Sequence, residues 1–86
     1  MYYVAVYDVS VDRVAKMLKL FRRYLTWVQN SVFEGELTEA QHRRLVAEAE
    51  ALMDEQDSVI FYEMRDERYV NRTVLGHERG ETGRFL

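Results

Sequence analysis

The sequence predicts an α+β domain: an antiparallel sheet carrying two helices on one face, in the order β-α-β-β-α-β, with an extra C-terminal strand. Three observations carry that expectation. Two segments repeat apolar residues near the 3.6-residue period of a helix, and β-branched and aromatic runs lie before, between and after them. The second helical segment is also announced by Thr38-Glu39-Ala40-Gln41, a capping box.

The first run, Tyr2-Tyr3-Val4-Ala5-Val6-Tyr7, suits a central strand and ends at Asp8. Asp12 can cap a helix over about 12–24, in which Val14, Leu18, Phe21 and Leu25 form one apolar stripe. Opposite that stripe fall Arg13, Lys16, Lys19 and Arg23, with Arg22 at the flank and Leu20 as an apolar intruder. Residues 26–37 are extended in character and long for one strand, so the chain is expected to reverse near Asn30, with Gly35 a candidate bulge. After the capping box, Leu45, Val46, Ala49, Leu52 and Met53 give the second helix its inward stripe. Ser58 to Met64 is another strand, Arg65 to Arg68 a polar turn, and Tyr69 to Leu75 the extra strand. The order is the ferredoxin-like pattern. One domain, 1–76, is followed by a polar tail, 77–86, expected to be mobile in isolation.

At 86 residues such a domain buries only about 60–65% of the surface its unfolded chain exposes. Tyr3, Val4, Val6, Tyr7, Phe33, Phe61 and Tyr62 are moreover too many apolar groups for one sheet face, and the helices cover only one. The second face is therefore expected to be a dimer interface or a nucleic-acid platform. With no cysteine, disulfides and thiolate metal sites are excluded and a reducing cytoplasm is the natural compartment. The apolar N-terminus has no basic flank and runs into Asp8, so neither a signal peptide nor a membrane span is expected.

The net charge of −3 conceals a segregation. Residues 1–33 hold five basic side chains against two acids, whereas residues 34–57 hold eight acids against two basic groups. A solvated helix face usually mixes both signs, and the uniform sign of Arg13, Lys16, Lys19, Arg22 and Arg23 favours a phosphate-facing surface over a merely solvated one.

Phosphate loops, zinc-protease motifs and Ser-His-Asp spacing are missing. Asp8, at the end of a rigid strand, reads either as a turn residue or as half of a metal site. One carboxylate holds Mg²⁺ poorly, but in a two-fold dimer a residue near the axis meets its own copy. His42 is expected on the inward edge of the second helix and His77 in the tail, with neither catalytic. Strand aromatics could stack bases, although core packing is the commoner use.

Four stretches together resemble a known family: Tyr7-Asp8-Val9, Arg22-Arg23-Tyr24-Leu25, Val28-Gln29-Asn30-Ser31-Val32-Phe33-Glu34-Gly35 and Asp57-Ser58-Val59-Ile60. They are similar to the second CRISPR-associated adaptation protein, over most of the chain to about Gly76. The resemblance implies a ferredoxin-like homodimer with Asp8 of each subunit as metal-binding and catalytic residue, Mg²⁺ as cofactor, and hydrolysis of RNA or DNA phosphodiesters. It further implies that Arg13, Lys16, Lys19, Arg22 and Arg23 face phosphates and that Ser31 and Phe33 lie near the metal cleft. A CRISPR integrase subunit is the implied protein partner, and a non-catalytic DNA-binding scaffold of the adaptation complex is the alternative. A toxin-like messenger RNA nuclease of the virulence-associated protein D type shares the fold and is a further alternative.

Overall fold

The computed structural model of the protein describes residues 1–76. The elements run β1 (Tyr2–Asp8), α1 (Val11–Arg22), β2 (Thr26–Gln29), β3 (Val32–Glu36), α2 (Glu39–Leu52) and β4 (Ser58–Met64), followed by a 3₁₀ turn at Glu67–Tyr69. The four strands form one antiparallel sheet in the order β2-β3-β1-β4. This is the ferredoxin-like arrangement, with β1 at the centre as its aromatic, β-branched composition predicts.

Alternation along β1 divides the sheet. Tyr3, Ala5 and Tyr7 point to the helices and join Met17, Leu20, Phe21, Phe33, Leu37 and Leu45 in one core. Rings fill its centre: Phe21 lies 5.2 Å from Tyr7 and 5.5 Å from Phe33 between centroids. The aromatic surplus is thus split between faces, with Tyr3, Tyr7, Phe33 and Phe61 toward the helices and Val4, Val6 and Tyr62 on the opposite side.

Local signals are realised where the chemistry is local. Thr38 Oγ1 accepts from the Gln41 N–H and Gln41 Oε1 from the Thr38 N–H, which completes the capping box of α2. The chain reverses at Asn30, whose φ of +46° is a left-handed conformation that asparagine tolerates well. Gly35 is not a bulge: it pairs in regular register with Tyr3, and the irregularity lies between Trp27 and Gln29. A side chain at Gly35 would meet Leu25 Cδ2 at 3.2 Å, which accounts for the glycine by close approach.

Two expectations are corrected. Helix α1 starts at Val11 after Ser10, not Asp12, and its buried residues are Met17, Leu20 and Phe21, while Val14 is 41% exposed. Leu20 is therefore core and not an intruder, and the rotated inward arc brings Arg13 to its edge. The extra C-terminal strand does not form: residues 70–75 adopt no regular structure. Asp66 caps the Glu67–Tyr69 turn through the Arg68 N–H, and Arg72 then pairs with Glu34 of β3. A strand requires a ladder partner, and this turn carries the segment across the sheet's open face instead. The tail and His77 lie outside the described residues.

Candidate metal centre and nucleic-acid interface

Asp8 ends β1 opposite Ser58, on the side of the sheet away from the helices. Directly behind it on that side come the cross-strand pairs Val6–Ile60 and Val4–Tyr62. Ile60 is 49% exposed and Tyr62 56% exposed, so an apolar strip leads up to an exposed carboxylate. The Asp8 side chain makes no hydrogen bond or ion pair among the described residues. It borders a cavity of about 300 Å³ shared with Tyr7, Val9, Val14, Asn30 and Ser31.

Ser31 therefore reaches the Asp8 site, and its carbonyl accepts from the Tyr7 N–H at 3.2 Å, tying the β2–β3 turn to the end of β1. Phe33 does not: it is fully buried in the helix-side core, because strand alternation from Val32 turns it inward. Nucleic acid cannot reach it there.

The cations of α1 separate into two groups. Lys16, Lys19 and Arg23 line a groove of about 350 Å³ between the helices, floored by Leu20, Ala51 and Leu52. Neither lysine makes an ion pair among the described residues, whereas Arg23 bonds Glu48 of α2 at 2.6 Å. Arg22 is exposed at the end of the helix. Arg13 is withdrawn from this surface. Its Nε and Nη2 donate to the two oxygens of Asp57, at 2.5 and 3.0 Å.

Asp57 is the residue that the sequence reading did not single out for any role. Its buried carboxylate also accepts from the backbone N–H of Ser10 at 3.1 Å and of Asp54 at 2.9 Å. These bonds, first among them that from Arg13, hold the Asp57 carboxyl far below the usual carboxylate range. The sign of the linkage follows. The unfolded chain takes up the proton first, so this contribution is complete above the ordinary pKa of about 3.9 and declines as pH falls below it. Asp57→Asn is expected to melt about 5–10 °C lower at neutral pH and to show a flatter decline between pH 4 and 2. Thermal melts of both proteins across pH 2–7 check this.

His42 packs as expected on the inward side of α2, stacked on Tyr3 at 4.3 Å and edge-on to Phe61 at 4.8 Å. Among the described residues no three His, Asp or Glu side chains gather into a metal cage. One chain thus offers the Asp8 carboxylate in a cavity that Ser31 also lines: a partial, oxygen-bearing site. That chemistry suits a hard cation such as Mg²⁺ once a second carboxylate is brought to it. No helix among the described residues is long and apolar enough to cross a membrane.

Comparisons with known proteins identify the family. Residues 1–72 match the family described as CRISPR associated protein Cas2. The chain is 51% identical over 84 residues to "CRISPR-associated endoribonuclease Cas2" of Thermotoga maritima, covering 96% of this chain and 97% of that one. It is 53% identical over 79 residues to the protein of the same name from Methanothermobacter thermautotrophicus, covering 91% and 87%. Among solved structures, one titled "Crystal structure of cas2" superposes with a TM-score of 0.86 at 42% identity, covering 92% of this chain and 90% of that one. Streptococcus pyogenes Cas2 gives 0.72 at 30% identity, covering 86% and 100%. A family match over residues 1–72, with relatives about half identical over nearly the full length of both chains, makes this chain a member of the Cas2 family.

Proposed function

We propose that this chain is a CRISPR-associated, metal-dependent endonuclease that acts as a homodimer and takes part in spacer acquisition with the CRISPR integrase. The observation that carries the reading is the position of Asp8, exposed at the end of the apolar strip formed by Val4, Val6, Ile60 and Tyr62 on the sheet face away from the helices. Two copies docked through that face bring two Asp8 carboxylates toward each other. The name endoribonuclease borne by the relatives supports phosphodiester hydrolysis as the chemistry.

Both Asp8 carboxylates, with Ser31 lining the same cavity, would hold Mg²⁺. When bound, that ion supplies Lewis-acid polarisation of a phosphoryl oxygen and lowers the pKa of an attacking water. Asp8 sits at the end of a paired strand, so its backbone is fixed before substrate arrives and little reorganisation is needed. Lys16, Lys19, Arg22 and Arg23 grip the flanking phosphates of RNA or duplex DNA without reading sequence. A nucleic-acid substrate of this kind and the absence of cysteine support a cytoplasmic location. The test is cleavage of single-stranded RNA and of duplex DNA with Mg²⁺ and with EDTA. Cleavage confined to Mg²⁺ supports the reading, and equal cleavage in EDTA overturns it.

A second reading, a non-catalytic DNA scaffold of the adaptation complex, is favoured by the distance in the fold between the α1–α2 groove and the Asp8 cavity. The two share no lining residue. Replacing Lys16, Lys19 and Arg23 together by Ala is expected to remove about three counterions from the salt dependence of duplex binding. Titrations of the variant and the parent at several salt concentrations measure that slope. An unchanged slope makes this face of α1 a solvated one.

A further inference from the structure

The geometry points to Asp57 as the positioning residue for Asp8, an inference that rests on the proposed role of Asp8 as the metal ligand. Asp57 does not touch the cavity. It acts on the chain on either side of it.

One carboxylate joins three segments. Asp57 Oδ1 accepts from the Ser10 N–H, two residues beyond Asp8, at 3.1 Å. Both oxygens receive the Arg13 guanidinium, which fixes the first turn of α1, and Oδ2 accepts from the Asp54 N–H in the turn before β4. Arg13 N–H in turn donates to the Ser10 carbonyl at 2.9 Å. Ser58, the residue after Asp57, pairs with Asp8 across the β1–β4 ladder. Asp8 is thus held from below by the ladder and from above by a loop that Asp57 ties to α1 and to the turn before β4, while the Ser10 hydroxyl donates to Asp12 in the first turn of α1.

The exposed Asp8 side chain has no hydrogen-bond partner of its own among the described residues to set its direction. Its direction therefore depends on where the backbone of residues 8–10 lies. A carboxylate buried with Arg13 and two backbone donors is a rigid anchor: its four hydrogen bonds are charge-assisted, and its side chain is only 1% exposed. Outer groups that orient a metal ligand affect metal affinity when removed, typically by 10–100-fold.

The measurement is Mn²⁺ binding followed by electron paramagnetic resonance, with cleavage as a function of Mg²⁺ concentration alongside. Asp57→Asn keeps one acceptor oxygen but presents N–H₂ toward Arg13 or Asp54. It is expected to weaken Mn²⁺ binding about tenfold and to raise the half-activating Mg²⁺ concentration similarly, with the rate at saturating Mg²⁺ changed far less. Arg13→Lys keeps the cation, loses the two-pronged bond, and is expected to shift both in the same direction by a smaller factor, so it carries the test if Asp57→Asn does not fold. Leu45→Val, on the buried face of α2 and away from the clamp, serves as the control for general loss of stability and should leave Mn²⁺ affinity unchanged. Asp8→Asn separates the two levels of the argument. If Asp8→Asn loses Mn²⁺ while the folded clamp variants bind it like the parent, the positioning role is overturned. If Asp8→Asn itself binds Mn²⁺ like the parent, the metal assignment fails and the positioning role with it.

Discussion

Asp8→Asn is expected to bring Mg²⁺-dependent cleavage down to the level seen in EDTA while leaving the protein folded and able to bind duplex. Asparagine matches aspartate in shape, and the exposed Asp8 side chain makes no hydrogen bond or ion pair among the described residues, so the substitution disturbs no packing. Stability should stay within about 0.5 kcal/mol, as for other exposed positions away from packed features. The loss is electrostatic. A neutral amide is a far weaker ligand for Mg²⁺ than a carboxylate, and the proposed pairing removes two charges from the site at once. Without metal, the variant's dimer should be tighter, because two facing negative charges repel. Cleavage and binding are measured on the same preparation. Lost cleavage with retained binding supports the nuclease reading. Undiminished cleavage removes Asp8 from the chemistry and leaves the scaffold reading.

Ile60→Asp combined with Tyr62→Asp is expected to convert the dimer to a monomer at micromolar concentration and to abolish Mg²⁺ activation although Asp8 is untouched. Both side chains lie on the sheet face away from the core, and the core is made by Tyr3, Ala5, Tyr7, Phe33 and the helices on the other face, so the monomer should fold. In a two-fold interface each substitution acts twice. Losing the burial of an aliphatic or aromatic side chain costs about 1.5–3 kcal/mol, and burying an unpaired carboxylate in its place costs more. Four such positions weaken association by well over about 1000-fold. Sedimentation at several concentrations reads the state of association. A persistent dimer would move the interface elsewhere, and a monomer with full activity would show that paired Asp8 residues are unnecessary.

Most of the fold was legible because its signals are local. The capping box at Thr38 and Gln41, the strand Ser58–Met64 and the reversal at Asn30 each depend on neighbours within a few residues, and each is found where the sequence placed it. The errors fall where a tertiary partner decides. Arg13 sits in a run of cations and reads as one more, yet a buried acid 44 residues away takes it out of that surface. Nothing in the spacing around Asp57 marks it as an anchor, since a lone acid before a strand is commonplace. Phe33 stands in the same motif as Ser31, but strand alternation sends the two to different places: Ser31 to the Asp8 cavity, Phe33 to the core. Val70, Val74 and Leu75 have strand-like composition without a strand, because pairing belongs to two segments and composition to one. Leu20 reads as an intruder for a related reason. The apolar arc of α1 is wide, and which part of it meets the sheet is set by packing on Tyr7 and Phe33, not by period alone.

The central claim is that one metal ion is shared by Asp8 of two subunits. Mn²⁺ titration by isothermal calorimetry, with the association state followed in parallel, tests it most directly. The account predicts one ion per two chains, binding lost in Asp8→Asn and lost again in the monomeric Ile60→Asp/Tyr62→Asp protein despite its intact Asp8. One ion per chain, bound by that monomer as tightly as by the parent, would contradict it.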